Sequence, residues 1–397
     1  MKTQNILSNK NGEIVLKTKG QCVFIYNIIS KENDNPLFIL YDKFKTNGIK
    51  VELTNKNIEV SLLNPPTILI DISNKLGYIH QNTQYWFSLD SQNQRLYAGI
   101  GEPRLETVYY QYYFNDSSYK KILESFTIIE HNKQIECKNI IKCPITRYLP
   151  MIVKDIDTLT MEDIAKGTYM PKANLSLMSQ KLYDCIAGKK FILNTPDFPD
   201  FSQAIEYSIK TPGCWCNTTL KNKSTEFNKD KPNIEETYLR ITLGENNGES
   251  PGIPYVMEIW PIGHYSPIHS HAGADAIIRV LHGSIHVKLF PYLSEKMPEP
   301  FGSADFKQGD ITWISPILNQ THQLENLKTN KDTCITIQCY MYNEKDREHY
   351  DYFDYINADS EIQPYEPDSD MDFIAFKECI RKEWKKVLQK YILQIRY

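Results

Sequence analysis

Short runs of apolar or alternating residues, separated by turns rich in Asn, Gly and Lys, dominate the first 115 residues of the chain. Runs of roughly four to eight residues between turn residues are typical of strands. The segment 85–102 has two such runs around a polar tip, which predicts a hairpin. The pattern as a whole predicts an antiparallel β-sandwich over residues 1–115. Its strands are expected at residues 15–17, 22–28, 37–41, 67–72 and 85–89.

The pattern changes in the middle of the chain. Residues 116–174 mix apolar and polar positions, and Pro144 and Pro150 interrupt them, so we predict a connector there. Apolar residues then recur at intervals of three and four over residues 177–186, and a similar segment covers residues 202–210. This spacing predicts two helices.

Strand-like runs return in the last part of the chain, which we expect to form one domain over residues 175–397. An acidic, tyrosine-rich segment follows these runs to about residue 372 and is expected to be extended. Residues 373–397 then have one apolar stripe at helical spacing, which predicts a long helix docked on the domain. The predicted fold class is mainly β, with helices flanking the C-terminal strands. Those strands are expected at residues 238–243, 255–259, 276–281, 284–290, 311–314 and 333–342.

Composition narrows the class of protein. Of the 397 residues 41% are hydrophobic and 24% charged, as in globular proteins, and the net charge of −4 predicts no basic face for nucleic acid. No apolar run reaches the roughly 18 residues that a membrane span needs, and no apolar segment follows Met1. The nine cysteines are too scattered for a disulfide framework. We therefore expect a cytoplasmic protein without a membrane or nucleic-acid partner.

The histidines are the candidate metal ligands of this chain. Five of the nine lie between residues 264 and 286. His269 and His271 are two residues apart, so on a strand their side chains share one face and can reach one metal ion. His322 follows about fifty residues later and is a third candidate. Neutral imidazole binds first-row divalent metals well, and three imidazoles on neighbouring strands leave open positions on the metal. The sequence therefore predicts a mononuclear three-histidine site.

The motifs around these histidines resemble a known family. A His-x-His pair followed by His-x-x-x-Asn resembles the metal signature of cupin barrels, although Ala276 takes the place of the usual carboxylate ligand. This resemblance implies that the C-terminal strands form a cupin barrel, a double-stranded β-helix or jelly roll, with flanking helices. The resemblance to the cysteine dioxygenase family is more specific and covers residues 175–345. It is carried by Gly263-His264-x-Ser266-x-Ile268-His269-x-His271, Val280-Leu281-x-Gly283, Leu289-Phe290, His322-x-x-Glu325-Asn326 and Tyr238-x-Arg240.

This resemblance implies an activity and a cofactor. The family uses Fe(II) and O2 to convert L-cysteine to cysteine sulfinic acid. It implies that His269, His271 and His322 are the iron ligands, and that the substrate binds iron through its thiolate and amine.

The resemblance also implies roles for the residues around the metal. Arg240 would hold the substrate carboxylate in a bidentate fork, which a lysine could not reproduce. Tyr238 would orient Arg240, and Tyr340 matches the family's active-site tyrosine, whose hydroxyl lies near the oxygen and thiol positions. Gln338 stands where the family has a histidine. It can hydrogen-bond the hydroxyl of Tyr340 but cannot shuttle a proton.

One further departure from the family pattern leaves two alternatives open. The cysteine that cross-links to the tyrosine in animal enzymes would be at Ala276, so no thioether can form. A non-catalytic, metal-stabilised cupin that acts as a binding or structural module is one alternative, and a dioxygenase of another small thiol is the other.

The first part of the chain has a resemblance of its own. The strand at Tyr85, followed by a return strand that ends in Gly99-x-Gly101-Glu102, resembles the domain first described at the end of farnesoic-acid methyltransferases. That resemblance implies a β-sandwich that acts as a binding module, with an unknown ligand or protein partner. A generic sandwich core is the alternative.

Overall fold

The computed structural model describes residues 13–29, 35–54, 57–70, 83–244, 253–296, 299–342 and 353–395, with side chains in the last range through residue 389. The chain divides into two compact units, Met1–Leu149 and Pro150–Tyr397. Among the described residues, no helix is both long enough and apolar enough to cross a membrane.

The first unit consists mainly of strands. Its elements in the described ranges are β1 (Ile14–Val15), β2 (Gln21–Ile28), β3 (Leu37–Asp42), β4 (Gly48–Leu53), β5 (Ile58–Leu63), β6 (Pro66–Ile68), β7 (Gln84–Asp90), β8 (Arg95–Ile100), β9 (Val108–Tyr113), α1 (Ser118–Ser125), β10 (Phe126–His131) and β11 (Ile135–Ile141). Residues 71 and 72 of the strand predicted at 67–72 lie outside the described residues.

These strands form two antiparallel sheets that share one core. One sheet has the order β1-β10-β3-β4-β5-β6 and the other β11-β2-β7-β8-β9. Phe24 of the second sheet contacts Phe38 of the first edge to face, with ring centroids 5.0 Å apart, and both side chains are fully buried. The predicted sandwich and its 85–102 hairpin, formed by β7 and β8, are therefore present.

The boundary between the units requires a correction. The connector predicted for residues 116–174 is wrong over its first part, because β10 inserts between β1 and β3 and β11 extends the other sheet beside β2. Ile129 and Ile135 from these strands are buried in the sandwich core. Most other side chains of β11 are exposed or only partly buried. The sequence of this strand therefore lacks the regular alternation of apolar and polar residues that would predict a strand. The first unit therefore ends at Leu149 rather than at residue 115.

The second unit combines strands with five helices in its described part. Its elements are β12 (Val153–Lys154), α2 (Met161–Lys166), β13 (Met170–Pro171), α3 (Leu177–Ile186), α4 (Phe201–Lys210), α5 (Trp215–Asn222), β14 (Leu239–Leu243), β15 (Tyr255–Trp260), β16 (His269–Ser270), β17 (Asp275–His282), β18 (Ser284–Phe290), β19 (Gly302–Lys307), β20 (Ile311–Ile314), β21 (Thr321–Glu325), β22 (Cys334–Met341), β23 (Phe353–Ile356), β24 (Ile362–Tyr365), β25 (Met371–Asp372) and α6 (Phe373–Ile395).

Two six-stranded sheets form the body of this unit. Their orders are β20-β17-β22-β15-β14-β25 and β19-β18-β21-β16-β23-β24, and all neighbours are antiparallel except β14 and β25. Apolar side chains from both sheets, such as Val280 and Val287, share one core. The predicted mainly β fold class is confirmed, as two facing sheets rather than a closed barrel.

The acidic, tyrosine-rich segment is part of this second sheet. Its described residues form β23 and β24, and β23 pairs with β16 through Tyr355 and His269. Residues 343–352 of the segment lie outside the described residues. The segment therefore contributes a strand directly beside the first histidine of the predicted metal site.

The helices cover the first of these sheets. Helix α3 begins at the N-cap Ser176, whose hydroxyl accepts from the amide of Ser179 at 3.0 Å, and it packs on β17 and β22 through the buried Leu182 and Ile186. The long C-terminal helix α6 lies on α4 and β14. Its Phe376 is fully buried, which confirms the predicted docking of this helix.

Candidate metal centre

The three predicted histidine ligands meet on neighbouring strands. Strand β16 lies between β21 and β23, and His269 pairs directly with His322 in the antiparallel register. His271 follows two residues after His269, so its side chain points to the same face. All three side chains are buried, at 5%, 6% and 7% exposure.

The imidazoles converge on one point. Their ligand atoms lie within 4.8 Å of one another, and Nε2 of His271 is 3.1 Å from Nε2 of His322. Two nitrogens bound at about 2.1 Å to one metal ion and about 90° apart would be roughly 3.0 Å from each other. The spacing of this pair therefore fits a shared first-row metal ion.

Hydrogen bonds orient two of the rings. A carbonyl oxygen can only accept, so Nδ1 of His269 donates to the carbonyl oxygen of Pro267 at 3.0 Å, and Nδ1 of His322 donates to that of Asn319 at 3.2 Å. Each bond places the proton on Nδ1 and leaves the lone pair of Nε2 for a metal. Asn319 adopts a φ of 60°, a left-handed conformation that asparagine tolerates better than most residues.

Burial keeps the three rings neutral. It lowers the pKa of His269 to about 3, with a further effect from His322, and it lowers the pKa of His322 to about 4. The pKa of His271 is also well below its usual value, because of burial and then its neighbours His322 and His269. Neutral imidazole is the form that binds metals, so the site is prepared to bind one at neutral pH.

No carboxylate joins the three histidines in the described part of the chain. Asp275, the nearest candidate in sequence, points to α3 instead: its Oδ1 accepts from the hydroxyls of Ser179 at 2.8 Å and Ser176 at 3.2 Å. Ala276, the next residue in the chain, has no side-chain atom that could bind a metal. A site of three neutral ligands leaves a divalent ion with its full positive charge.

The histidines line a cavity that also holds the predicted tyrosine. The ring of Tyr340 stacks on that of His271 at 5.7 Å between centroids. Ala276 pairs with Tyr340 across β17 and β22, so the residue beside the tyrosine carries no thiol. Gln338 lies on the same face of β22 and also lines the cavity. The structure therefore brings all seven predicted site residues to one cavity, and their roles stay predictions.

Arg240 has a partner that the sequence analysis missed. Its Nη1 lies 2.9 Å from Oε1 of Glu258 on the adjacent strand, and the two side chains are 4% and 7% exposed. Burial raises the pKa of Glu258, whereas Arg240 and then Gln338 act in the opposite direction. Tyr238, expected to orient Arg240, stacks on Trp260 with ring centroids 4.1 Å apart.

A second residue of the site, Phe353, escaped the sequence analysis as Glu258 did. Phe353 of β23 contacts the ring of His269 at 4.9 Å, and it follows directly after residues that the structure does not describe. Glu258 had a detectable signal, since it is the one charged residue in the apolar run of β15. Phe353 had none, because a phenylalanine in an acidic, tyrosine-rich segment does not identify its neighbour in space.

Comparisons with known proteins give partial similarities of fold. No protein-family model matches the sequence, and no curated protein matches it. Among solved structures, the cupin domain of Cnp3 from Schizosaccharomyces pombe is similar at 12% identity and a TM-score of 0.21, over 27% of this chain and 65% of that one. The DMSP lyase DddQ from Ruegeria pomeroyi is similar at 15% identity and a TM-score of 0.21, over 28% of this chain and 49% of that one.

A third similar structure is the polyketide cyclase RemF from Streptomyces resistomycificus, at 14% identity and a TM-score of 0.21, over 28% of this chain and 68% of that one. The chain spans less than two thirds of the length of the first two structures. These similarities cover about a quarter of the chain, so the interpretation of the site depends on its own geometry.

Proposed function

We propose that the second unit is an iron-dependent thiol dioxygenase that adds both atoms of O2 to the sulfur of a small thiol, giving a sulfinic acid. L-cysteine is the substrate that the sequence resemblance predicts. The observation that carries the proposal is a set of three buried, neutral histidines, without a carboxylate ligand in the described chain, in one cavity with Tyr340 and Arg240. The donor set fits Fe(II), because imidazole binds this ion well.

His269, His271 and His322 would hold the iron, whose chemistry when bound would be to take the thiolate and activate O2. The missing carboxylate matters for the thiolate. Three neutral ligands leave the ion with two positive charges, which favours an anionic sulfur donor over a neutral one.

The protein's own residues would position the substrate. The mainly apolar cavity wall, which includes Ile278, Val280 and Leu289, excludes water from the reacting sulfur. The hydroxyl of Tyr340, held beside His271 by the ring stack, would donate a hydrogen bond to the developing oxygenated product. Arg240, which lines the same cavity and pairs with Glu258, would face the polar end of the substrate.

Oxygen consumption tests this proposal. Full-length protein loaded anaerobically with Fe(II) should consume O2 when L-cysteine is added and form one sulfinate for each O2 consumed. The variant His322→Ala should lose this activity. His286→Ala is the matched control, since His286 pairs with Asp305 and is not among the cavity-lining residues. Stoichiometric iron binding without O2 consumption, for cysteine or other small thiols, would contradict the proposal.

A non-catalytic, metal-stabilised binding module is the second candidate. The ion pair between Arg240 and Glu258 favours it, because that pair occupies the one cationic side chain among the described lining residues. Under this interpretation, metal binding raises the unfolding temperature and no thiol is oxidised. For the first unit, a binding role with an unidentified ligand or protein partner stays a proposal.

A further inference from the structure

The Arg240–Glu258 pair is part of the cavity wall. Arg240 on β14 and Glu258 on β15 are direct neighbours across the two strands. Both side chains line the cavity that contains the three histidines, and both are more than nine-tenths buried. A bond of 2.9 Å joins them. The pair therefore faces the space that a substrate bound to the metal would occupy.

These two residues decide the charge of the cavity wall. Among the described lining residues, Arg240 and Glu258 are the only ones from the Asp, Glu, Lys and Arg group. The opposite charges of the two side chains offset each other in the wall, although Arg240 alone would make it positive. Behind the wall, Asp370 accepts a hydrogen bond from the backbone amide of Arg240 at 2.7 Å and pairs with Lys223 at 3.1 Å.

A ligand carboxylate that enters this cavity must compete with Glu258 for the guanidinium of Arg240. To bind Arg240 it must displace Glu258 or share the guanidinium with it, and either arrangement places two carboxylates close together in a space shielded from water. Like charges in such contact repel each other strongly, and a buried carboxylate that loses its cationic partner is strongly destabilised. A thiol without a carboxylate leaves the pair intact.

We propose that Glu258 is a specificity-determining residue that, by occupying Arg240, lowers the affinity of the cavity for thiols with a carboxylate relative to thiols without one. This inference rests on the proposed function of the site, because it assumes that a thiol binds at the three histidines. It assigns the pair a selective role in addition to a structural one. The favoured ligands are small thiols whose carbon chain ends without an anionic group.

Equilibrium binding of two thiols tests the inference without turnover. Full-length protein is loaded anaerobically with Co(II), and thiolate binding is followed through the absorption of the metal centre. L-cysteine and cysteamine differ only by the carboxylate, so the ratio of their dissociation constants measures the selection. Glu258→Gln should improve the binding of cysteine relative to cysteamine by about tenfold or more, since about 1.4 kcal/mol corresponds to a factor of ten. An unchanged ratio would overturn the inference.

Two further variants distinguish a specific effect on the ratio of the two dissociation constants from a general disturbance of the protein by the substitution. Glu235→Gln makes the same chemical change at a glutamate that is 46% exposed and pairs with Lys328 outside the cavity-lining set, so it should leave the ratio unchanged. Arg240→Gln combined with Glu258→Gln removes both charges and avoids an unpaired buried arginine. Because Glu258 already masks Arg240 in the natural protein, this double variant should keep a near-natural ratio. A tenfold loss of cysteine affinity relative to cysteamine would show that Arg240 is available to carboxylates and would overturn the inference.

A ligand without sulfur separates this inference from the proposed function. If neither thiol alters the metal spectrum in any variant, the proposed function is contradicted. Binding of carbon-13-labelled propionate, followed by NMR, then decides the inference alone. Propionate should bind Glu258→Gln more tightly than the natural protein, and equal binding to the two would overturn the role of Glu258.

Discussion

Nε2 of His271 lies 3.1 Å from Nε2 of His322, although 51 residues separate them in the chain. Strands β16 and β21 bring the two rings together, and the carbonyl oxygen of Asn319 orients the second one. Both residues belong to the group that the structure identifies as able to hold a metal ion. We expect the loss of either ligand to weaken metal binding strongly.

The metal-binding prediction is tested by His271→Ala, with Co(II) titrated anaerobically and followed by calorimetry. Removal of an outer hydrogen-bond partner typically weakens a metal site by roughly 10–100-fold, and loss of a direct ligand should exceed that. His286→Ala is the control and should bind with natural affinity, because His286 pairs with Asp305. Equal affinity for His271→Ala and the control would exclude this histidine as a ligand.

The metal-free protein should lose stability in mild acid. The pKa values of His269 and His322 are about 3 and 4 in the folded chain, below the usual 6.5, because the rings are buried. A histidine with a depressed folded pKa contributes full stability above about pH 6.5, and this contribution is lost as the pH falls towards the folded pKa.

We therefore expect the free energy of unfolding to fall by about 1 kcal/mol for each such histidine between pH 7 and pH 5.5. Urea denaturation of the metal-free chain across this range measures the change. In His322→Ala the slope of stability against pH should be smaller. A stability that rises on acidification would contradict the assignment of buried neutral rings.

Gly283 makes the turn between β17 and β18 possible and should not tolerate a side chain. Its φ is 70°, and a Cβ atom there would lie 2.6 Å from the backbone oxygen of Thr333. We expect Gly283→Ala to destabilise the protein by at least about 1–3 kcal/mol, the typical range for a strained backbone position. Gly167→Ala is a matched control, since Gly167 has a φ of 63° and nothing within 4 Å of its Cβ position. Urea denaturation should show the smaller loss for Gly167→Ala, and equal losses would mean that the clash with Thr333 is relieved.

The hydroxyl of Tyr340 should matter for oxidation and not for metal binding. Tyr340→Phe keeps the ring that stacks on His271 and removes only the oxygen. Under the proposed function, O2 consumption with L-cysteine should fall on the order of 10²-fold, as for the loss of a positioned proton donor, while Co(II) affinity stays unchanged. Tyr265→Phe is the control, because the hydroxyl of Tyr265 bonds to Asn233 and is outside the cavity-lining set. Full activity of Tyr340→Phe would remove the tyrosine from the proposed chemistry.

Docking of α6 should depend on Phe376. This ring is fully buried and contacts Trp215 at 5.3 Å and Phe201 at 5.9 Å between centroids. Phe376→Ala should destabilise the second unit by about 3–5 kcal/mol, as for other buried phenylalanines. Ile374→Ala, on the same helix at 71% exposure, should change stability little. Limited proteolysis within α6 reports the effect, and equal protection of both variants would contradict the docking.

The elements that could be predicted from the sequence are those whose own pattern is strong. Strands such as β18 and the hairpin of β7 and β8 have regular alternation or compact apolar runs, and α3 has helical spacing after a Ser cap. Strands β16, β23 and β24 could not be found in this way. They are only two to four residues long, and β16 and β23 pair with each other from distant parts of the chain.

The site, like the fold, could be predicted from the sequence only in part. His269, His271 and His322 stand out because their residue types and spacing limit what they can do, and no carboxylate joins them among the described residues. Glu258 was missed because one acidic residue in an apolar strand has many interpretations. Its pairing with Arg240 became visible once β14 and β15 placed the two residues side by side.

By itself, the sequence determined the class of fold and the three candidate ligands, since local periodicity and side-chain chemistry are properties of residues close in the chain. Only the tertiary structure decided that residues 126–141 complete the first unit, that Phe353 packs on His269, and that Glu258 pairs with Arg240. The physical reason is that sheet pairing and burial depend on contacts between distant segments. No local pattern encodes which segment will be the neighbour.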